Sequence, residues 1–183
     1  MLSQLKMEME LRNLKNGVEG GFNKVQPEKG AVDVYLAAGW FTEKQQKDLL
    51  DAYNALLLNT SIAHIHVPLL HQNKSESPFD EEGNFNPSFK WSTLTYKADK
   101  AAIDKSDVMV AVLSNGENDT GAVWEVGYAE GKDIPVIGFM PNGSGKYNLM
   151  PAMSVVANYT EPIKLLNMDF IDIDPNAWER EVE

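Results

Sequence analysis

Along residues 31–161 apolar runs of four to six residues alternate with longer stretches in which apolar side chains recur every three or four positions. The first kind of pattern marks a buried strand and the second an amphipathic helix. Residues 32–37 (Val-Asp-Val-Tyr-Leu-Ala) predict a first strand, and Thr42 caps a Glu-, Lys-, Gln- and Leu-rich helix ending near Leu58. A second strand is expected over 62–67, a helix over 91–106, a third strand over 108–113 and a helix over 120–131 stopped by its glycine. A fourth strand is expected over 134–139, and a short helix near Met150 with a weak strand over 158–161 completes the series. Between the second strand and its helix lies a polar loop of about twenty residues, a length often reserved for function in compact domains.

Strands that alternate with helices predict an α/β fold: a five-stranded parallel sheet with helices on both faces, in the flavodoxin-like order. Ligands in such sheets sit at the carboxyl ends of the strands where the strand order reverses, here between the first and third strands. The loops over 38–41 and 114–120 are therefore expected to meet at the site. Residues 1–30 read differently from the domain over 31–183. Met7, Leu11, Leu14 and Val18 have helical spacing, whereas Gly17, Gly20, Gly21, Pro27 and Gly30 interrupt it, so a short helix and linker, or a disordered tail, is expected.

Charge narrows the function. The chain of 183 residues carries a formal net charge of −11. Lys6, Arg12, Lys15, Lys24 and Lys29 offset Glu8, Glu10, Glu19 and Glu28 in the first thirty residues, so the acidity belongs to the main domain. Such a surface repels a phosphate backbone, which argues against nucleic acid or an anionic membrane as partner. The absence of cysteine excludes disulfides, thiolate metal sites and a cysteine nucleophile. No stretch reads as a membrane span or a signal-peptide core, so a soluble, cytoplasmic protein is expected.

The most informative segment runs from Ser114 through Asp119 to Ala129. Glu125 stands there among Ala122, Val123, Val126 and Ala129, where a carboxylate is either paired, active, or simply a glutamate favoured by the helix dipole. Gly127 is expected to allow close packing against another element. Asp119 at the loop's end reads as a second acid or as a turn and cap residue. Tyr35 could present its hydroxyl to a carboxylate or serve as a core aromatic. Trp40 and Phe41 after Gly39 suit a planar ligand or a hydrophobic plug. The segment Gly143-Ser144-Gly145-Lys146 lacks the spacing of a phosphate loop, and no G-x-G-x-x-G follows the first strand. His64 and His66 share a face with His71 nearby, but no motif completes a metal site; no metal or other cofactor is expected.

The strings Val34-Tyr35-Leu36-Ala37-Ala38-Gly39-Trp40-Phe41-Thr42, Val67-Pro68-Leu69-Leu70-His71-Gln72, Thr95-Tyr96-Lys97-Ala98-Asp99, Glu125-Val126-Gly127-Tyr128-Ala129 and Asn148-Leu149-Met150, in this order, resemble the nucleoside 2-deoxyribosyltransferases. The resemblance implies a flavodoxin-like fold and exchange of the base of 2'-deoxyribonucleosides through a glycosyl-enzyme intermediate. It makes Glu125 the nucleophile and Tyr35 the hydroxyl that orients it, with Asp99 and Asp119 as the acids that engage base and deoxyribose. It places Gly39, Trp40, Phe41 and Gln72 around the base and brings Asn148 and Met150 into the site of a neighbouring subunit, hence a homo-oligomer. The chain departs from the family in Ala37, where a glycine is usual, and in its tail, which ends Glu181-Val182-Glu183 rather than in an aromatic residue. An N-glycoside hydrolase of deoxynucleosides or deoxynucleotides and a non-catalytic nucleoside-binding module are the competing readings on the same fold.

Overall fold

A computed structural model of the chain describes residues 3–20, 25–82, 85–114, 119–141 and 147–175. The elements are α1 (Gln4–Gly20), β1 (Val32–Ala37), α2 (Glu43–Leu57), β2 (Ile62–His66), a 3-10 turn (Pro68–Leu70) and α3 (Phe89–Ile103). They continue with β3 (Val108–Val112), α4 (Thr120–Glu130), β4 (Val136–Phe139), α5 (Leu149–Met153), β5 (Ala157–Tyr159) and α6 (Pro162–Asn167). Among the described residues the five strands form one parallel sheet in the order β2-β1-β3-β4-β5. The order reverses between β1 and β3, as expected for this fold.

Every residue of β3 is buried, because the central strand is covered on both faces. Its Val108, Val110 and Val112 join Val34 and Leu36 of β1 in a core closed by α1, α2 and α6, through Met7, Leu11, Leu49, Leu56 and Leu165. On the opposite face Met109 and Ala111 meet Tyr35, Ile103 of α3, Ala122, Val126 and Ala129 of α4 and Ala152 of α5. The period of two along each strand thus sends alternate residues to two separate cores.

Several boundaries differ from expectation for identifiable reasons. Helix α1 continues through Gly17, where nothing lies within 4 Å of a would-be Cβ, and it is held by Met7 and Leu11, both fully buried. Tertiary packing there outweighs the roughly 1 kcal/mol propensity cost of one glycine. Strand β4 starts at Val136, just after Pro135, which has no N–H to give a ladder. Helix α3 begins two residues earlier than expected, at Phe89, because Ser88 caps it by accepting from Trp91 N. Helix α6 was not legible in the sequence pattern. Its last carbonyls, with those of Leu166 and Met168, are taken up by the buried side-chain amide of Asn59, which donates to Leu165, Leu166 and Met168. Residues 115–118, the Gly143-Ser144-Gly145-Lys146 segment and residues 176–183 lie outside the described residues, as does the side chain of Val18.

Candidate active site

Tyr35 sits in the middle of β1, fully buried, with its ring on the α3–α4 face of the sheet. Its hydroxyl donates to Glu125 Oε1 at 2.6 Å. Glu125 lies in the second turn of α4, so the helix dipole alone does not account for it. The neighbours Ala122, Val126 and Ala129 are small enough to bring α4 close against β1 and β3. Gly127 contributes nothing to this approach: it faces outward, and an added Cβ would meet nothing within 4 Å. The close packing expected of it is supplied by alanines.

Burial holds the Glu125 carboxyl well above its usual range, at about 8. The Tyr35 hydrogen bond opposes that rise, and the charges of Asp99 and Asp119 reinforce it. Tyr35 is itself pushed up, by burial first and then by Glu125 and Asp99, so its proton stays on oxygen and the hydroxyl remains a donor. Asp99, half-buried on α3, is raised by burial to about 6. Three carboxyls from α3, α4 and the β3–α4 loop thus share one electrostatic environment with the tyrosine. A cluster of this kind cannot be fully ionised at neutral pH.

Asp119 is the N-cap of α4 and accepts from Ala122 N at 2.8 Å. The structural role expected for it is realised, and the same side chain still acts electrostatically on Glu125. Gly39 explains how the two loops meet. A Cβ at Gly39 would lie 2.7 Å from Asp119 Cβ and 2.8 Å from Gln45 Cδ, closer than side chains approach. Gln45 is itself locked by the capping box of α2, with its Oε1 accepting from Phe41 N at 2.8 Å. Trp40 and Phe41 lie against each other, ring centroids 5.3 Å apart; Trp40 packs on the core while Phe41 is 50% exposed. At the end of β3, Ser114 Oγ donates to the buried Asp48 at 2.7 Å, and Lys44 pairs with the same carboxylate at 2.6 Å. That support for the β3–α4 loop carried no signal in the sequence, because its members are 66 residues apart.

The remaining expected residues make their hydrogen bonds outside this carboxyl cluster. Gln72 accepts from Gln4 Nε2 of α1 at 3.1 Å, and the two border a cavity of about 260 Å³ with Leu69, Asn73 and Phe79. Asn148 caps α5 by accepting from Met150 N, and both are exposed. Leu149, Met150 and Met153 of α5, with Trp124 of the adjoining α4, present large apolar side chains to solvent. His66 and His71 are stacked ring on ring, a geometry in which their nitrogens do not converge on an ion, and among the described residues no group of three His, Asp or Glu could hold a metal. Among the same residues no helix is long and apolar enough to cross a membrane.

A half-buried carboxyl gripped by a tyrosine at the switch point of a doubly wound sheet, with two further acids around it, is an arrangement that can support chemistry by carboxyl groups on an α/β fold. Comparison with known proteins says which kind. Residues 34–162 match the model of the nucleoside 2-deoxyribosyltransferase family. A nucleoside deoxyribosyltransferase of Lactobacillus johnsonii is 35% identical over 137 residues, covering 73% of this chain and 91% of the relative. The enzyme of the same name from Lactobacillus leichmannii is 32% identical over 141 residues, covering 76% and 80%. The solved 2-deoxyribosyltransferase of Bacillus psychrosaccharolyticus superposes with a TM-score of 0.64 at 30% identity, covering 78% of this chain and 98% of that one. The chain belongs to the nucleoside 2-deoxyribosyltransferase family. Helix α1 precedes the matched segment.

Proposed function

We propose that the protein moves the 2-deoxyribosyl group from one nucleobase to another by a retaining, two-step path in which Glu125 is the nucleophile. The observation that carries this reading is the 2.6 Å hydrogen bond from the Tyr35 hydroxyl to Glu125 Oε1 at the switch point. Departure of a base from C1' develops positive charge on the sugar, and a carboxylate beside C1' stabilises that charge and can bond to it. The absence of a 2'-hydroxyl eases the departure. With Oε1 held by Tyr35, Oε2 is left to face the sugar.

The leaving base is a poor anion and departs more readily when protonated. Asp99, raised by burial to about 6, holds a proton for it in the minority form in which Glu125, raised to about 8, has lost its own and supplies the negative charge. Asp119 engages the deoxyribose, fixed by its bond to Ala122 N. Gly39, Trp40 and Phe41 form the wall on which the base stacks, and Gln72 reads its edge. Trp40 and Phe41 also leave little room for water, so an acceptor base held in line intercepts the glycosyl ester before hydrolysis. The substrates are 2'-deoxyribonucleosides and free purine or pyrimidine bases, handled in the cytoplasm without a cofactor. Asn148 and Met150 on the exposed apolar face of α5 enter the site of a neighbouring subunit in a closed homo-oligomer. Light scattering that shows a fully active monomer contradicts the shared site.

The decisive experiment follows thymidine or deoxyinosine with excess adenine by chromatography. Deoxyadenosine is the expected product. Free deoxyribose dominating at saturating adenine identifies a hydrolase, and calorimetric binding without turnover identifies a binding module.

A further inference from the structure

We propose that His66 is a positioning residue for Asp99: its Nε2–H holds the carboxylate that Asp99 becomes when it gives its proton to the departing base. The proposal rests on the reading of Asp99 as the base-side acid. His66 lies on β2 directly beside Tyr35 of β1, its Cα partner in the parallel ladder. The two rings stack with centroids 5.2 Å apart and planes 13° from parallel. His71 covers the other face at 4.4 Å and is itself anchored by Nδ1 donating to the Val67 carbonyl at 2.8 Å. The imidazole is therefore clamped between a ring that serves the nucleophile and a ring tied to the backbone.

In that clamp His66 Nε2 is buried and makes no hydrogen bond among the described residues. Buried polar atoms without partners are uncommon and call for an explanation. The acid it faces is Asp99, whose Oδ1 is 4.0 Å away, one small side-chain rotation from hydrogen-bond range. Asp99 on α3 is faced by His66 from β2 and feels Tyr35 from β1 and Glu125 from α4. Tyr35 has committed its hydroxyl to Glu125, and Glu125 has no proton to give in the ionised form that attacks the sugar, which leaves the imidazole as the donor for Asp99. Burial and His71 lower His66 to about 4, so the ring is neutral near pH 7. A neutral ring with the proton on Nε2 donates one hydrogen bond and takes no part as an acid.

The glycosidic C1'–N bond breaks with its electron pair going to the base while a Glu125 carboxylate oxygen forms the ester bond to C1', the Asp99 O–H breaks, and its proton forms N–H on the base. The new Asp99 carboxylate accepts from His66 Nε2–H. In the second half-reaction the incoming base nitrogen bonds to C1', the ester C1'–O bond breaks with its electron pair returning to Glu125, and the base's N–H proton returns to Asp99 and releases that contact.

The test compares His66→Phe, which keeps a flat ring between Tyr35 and His71 but lacks the donor, with His66→Gln, which keeps an N–H, and Asp99→Asn as reference. Circular dichroism verifies the fold of each. With a natural deoxynucleoside, His66→Phe should lower kcat about 10- to 100-fold with KM nearly unchanged, as expected for a lost hydrogen bond to a charged group. With a deoxynucleoside of an N7-methylated, cationic purine, whose base departs neutral without a proton, kcat should match the wild type. His66→Gln should recover most of the loss. Equal losses on both substrates, no loss on the natural one, or a glutamine variant as slow as phenylalanine overturns the proposal. Wild-type kcat in Asp99→Asn removes the base-side role of Asp99 and the proposal with it; an impaired Asp99→Asn beside an unaffected His66→Phe overturns the proposal alone.

Discussion

Glu125→Gln should make the protein more stable while removing its transferase activity, and both effects come from the same burial. The carboxyl is raised from an ordinary 4.5 to about 8. In the unfolded chain it ionises above pH 4.5, whereas in the folded chain it keeps its proton up to about 8. Stability from this group is therefore full below pH 4.5 and is lost as pH rises through that window. At pH 7 the loss is about 3 kcal/mol at 1.36 kcal/mol per unit. Glutamine has no proton to hold, and its Oε1 can still accept from Tyr35. Its NH2 must find a partner in a half-buried place, which takes back about 1–3 kcal/mol, so a net gain of up to about 2 kcal/mol is expected at pH 7. For a chain of this length the upper end corresponds to a rise in Tm of roughly 4–8 °C. The assay is thermal unfolding of both proteins between pH 4.5 and pH 8. The difference should grow with pH and vanish or reverse near 4.5. A difference independent of pH, or a variant less stable throughout, would refute the burial argument. Turnover should fall by several orders of magnitude, since binding and acid assistance alone remain.

Three further outcomes follow from the geometry. The profile of kcat/KM against pH should be bell-shaped with limbs near 6 and 8, because only the form with Glu125 ionised and Asp99 still protonated reacts, and that form is a minority at every pH; a steady climb from pH 5 to 9 contradicts it. Gly39→Ala should displace Asp119, because its Cβ would meet that side chain at 2.7 Å. It should cost about 1–3 kcal/mol in denaturant titration and more than tenfold in kcat/KM, since roughly 1 Å of misplacement costs about a hundredfold. Gln4→Ala should leave the fold intact and change KM for the base about 2- to 10-fold with kcat constant, because Gln4 holds the Gln72 amide at 3.1 Å; unchanged KM values for every base separate α1 from recognition.

The architecture was legible because burial writes a period into the chain. The run Val108 to Val112 reads as a buried central strand, and Thr42 marks the start of α2 as its cap, to which the structure adds Gln45 as the other half of a capping box. The meeting of the 38–41 and 114–120 loops followed from the strand order, and Gly39 against Asp119 is that meeting at the atomic level. What escaped depends on register between distant segments. His66 reads in sequence only as one of two histidines sharing a strand face, and the β1–β2 pairing is what makes it a stacked neighbour of Tyr35. Gln72 contacts α1, and the continuation of α1 through Gly17 depends on a core that Met7 and Leu11 complete. Gly127, which suggests close packing when read alone, faces open space because α4 turns its alanines inward.

The role proposed for Glu125 is to carry the sugar between the two bases. Rapid quenching of the protein with a 2'-deoxyribonucleoside and no acceptor, followed by peptide mass spectrometry, reads that step itself. One deoxyribosyl group esterified to the peptide containing Glu125 is expected, discharged on addition of adenine and absent in Glu125→Ala. Base exchange at full rate in a folded Glu125→Ala protein, or an adduct on another residue, contradicts it.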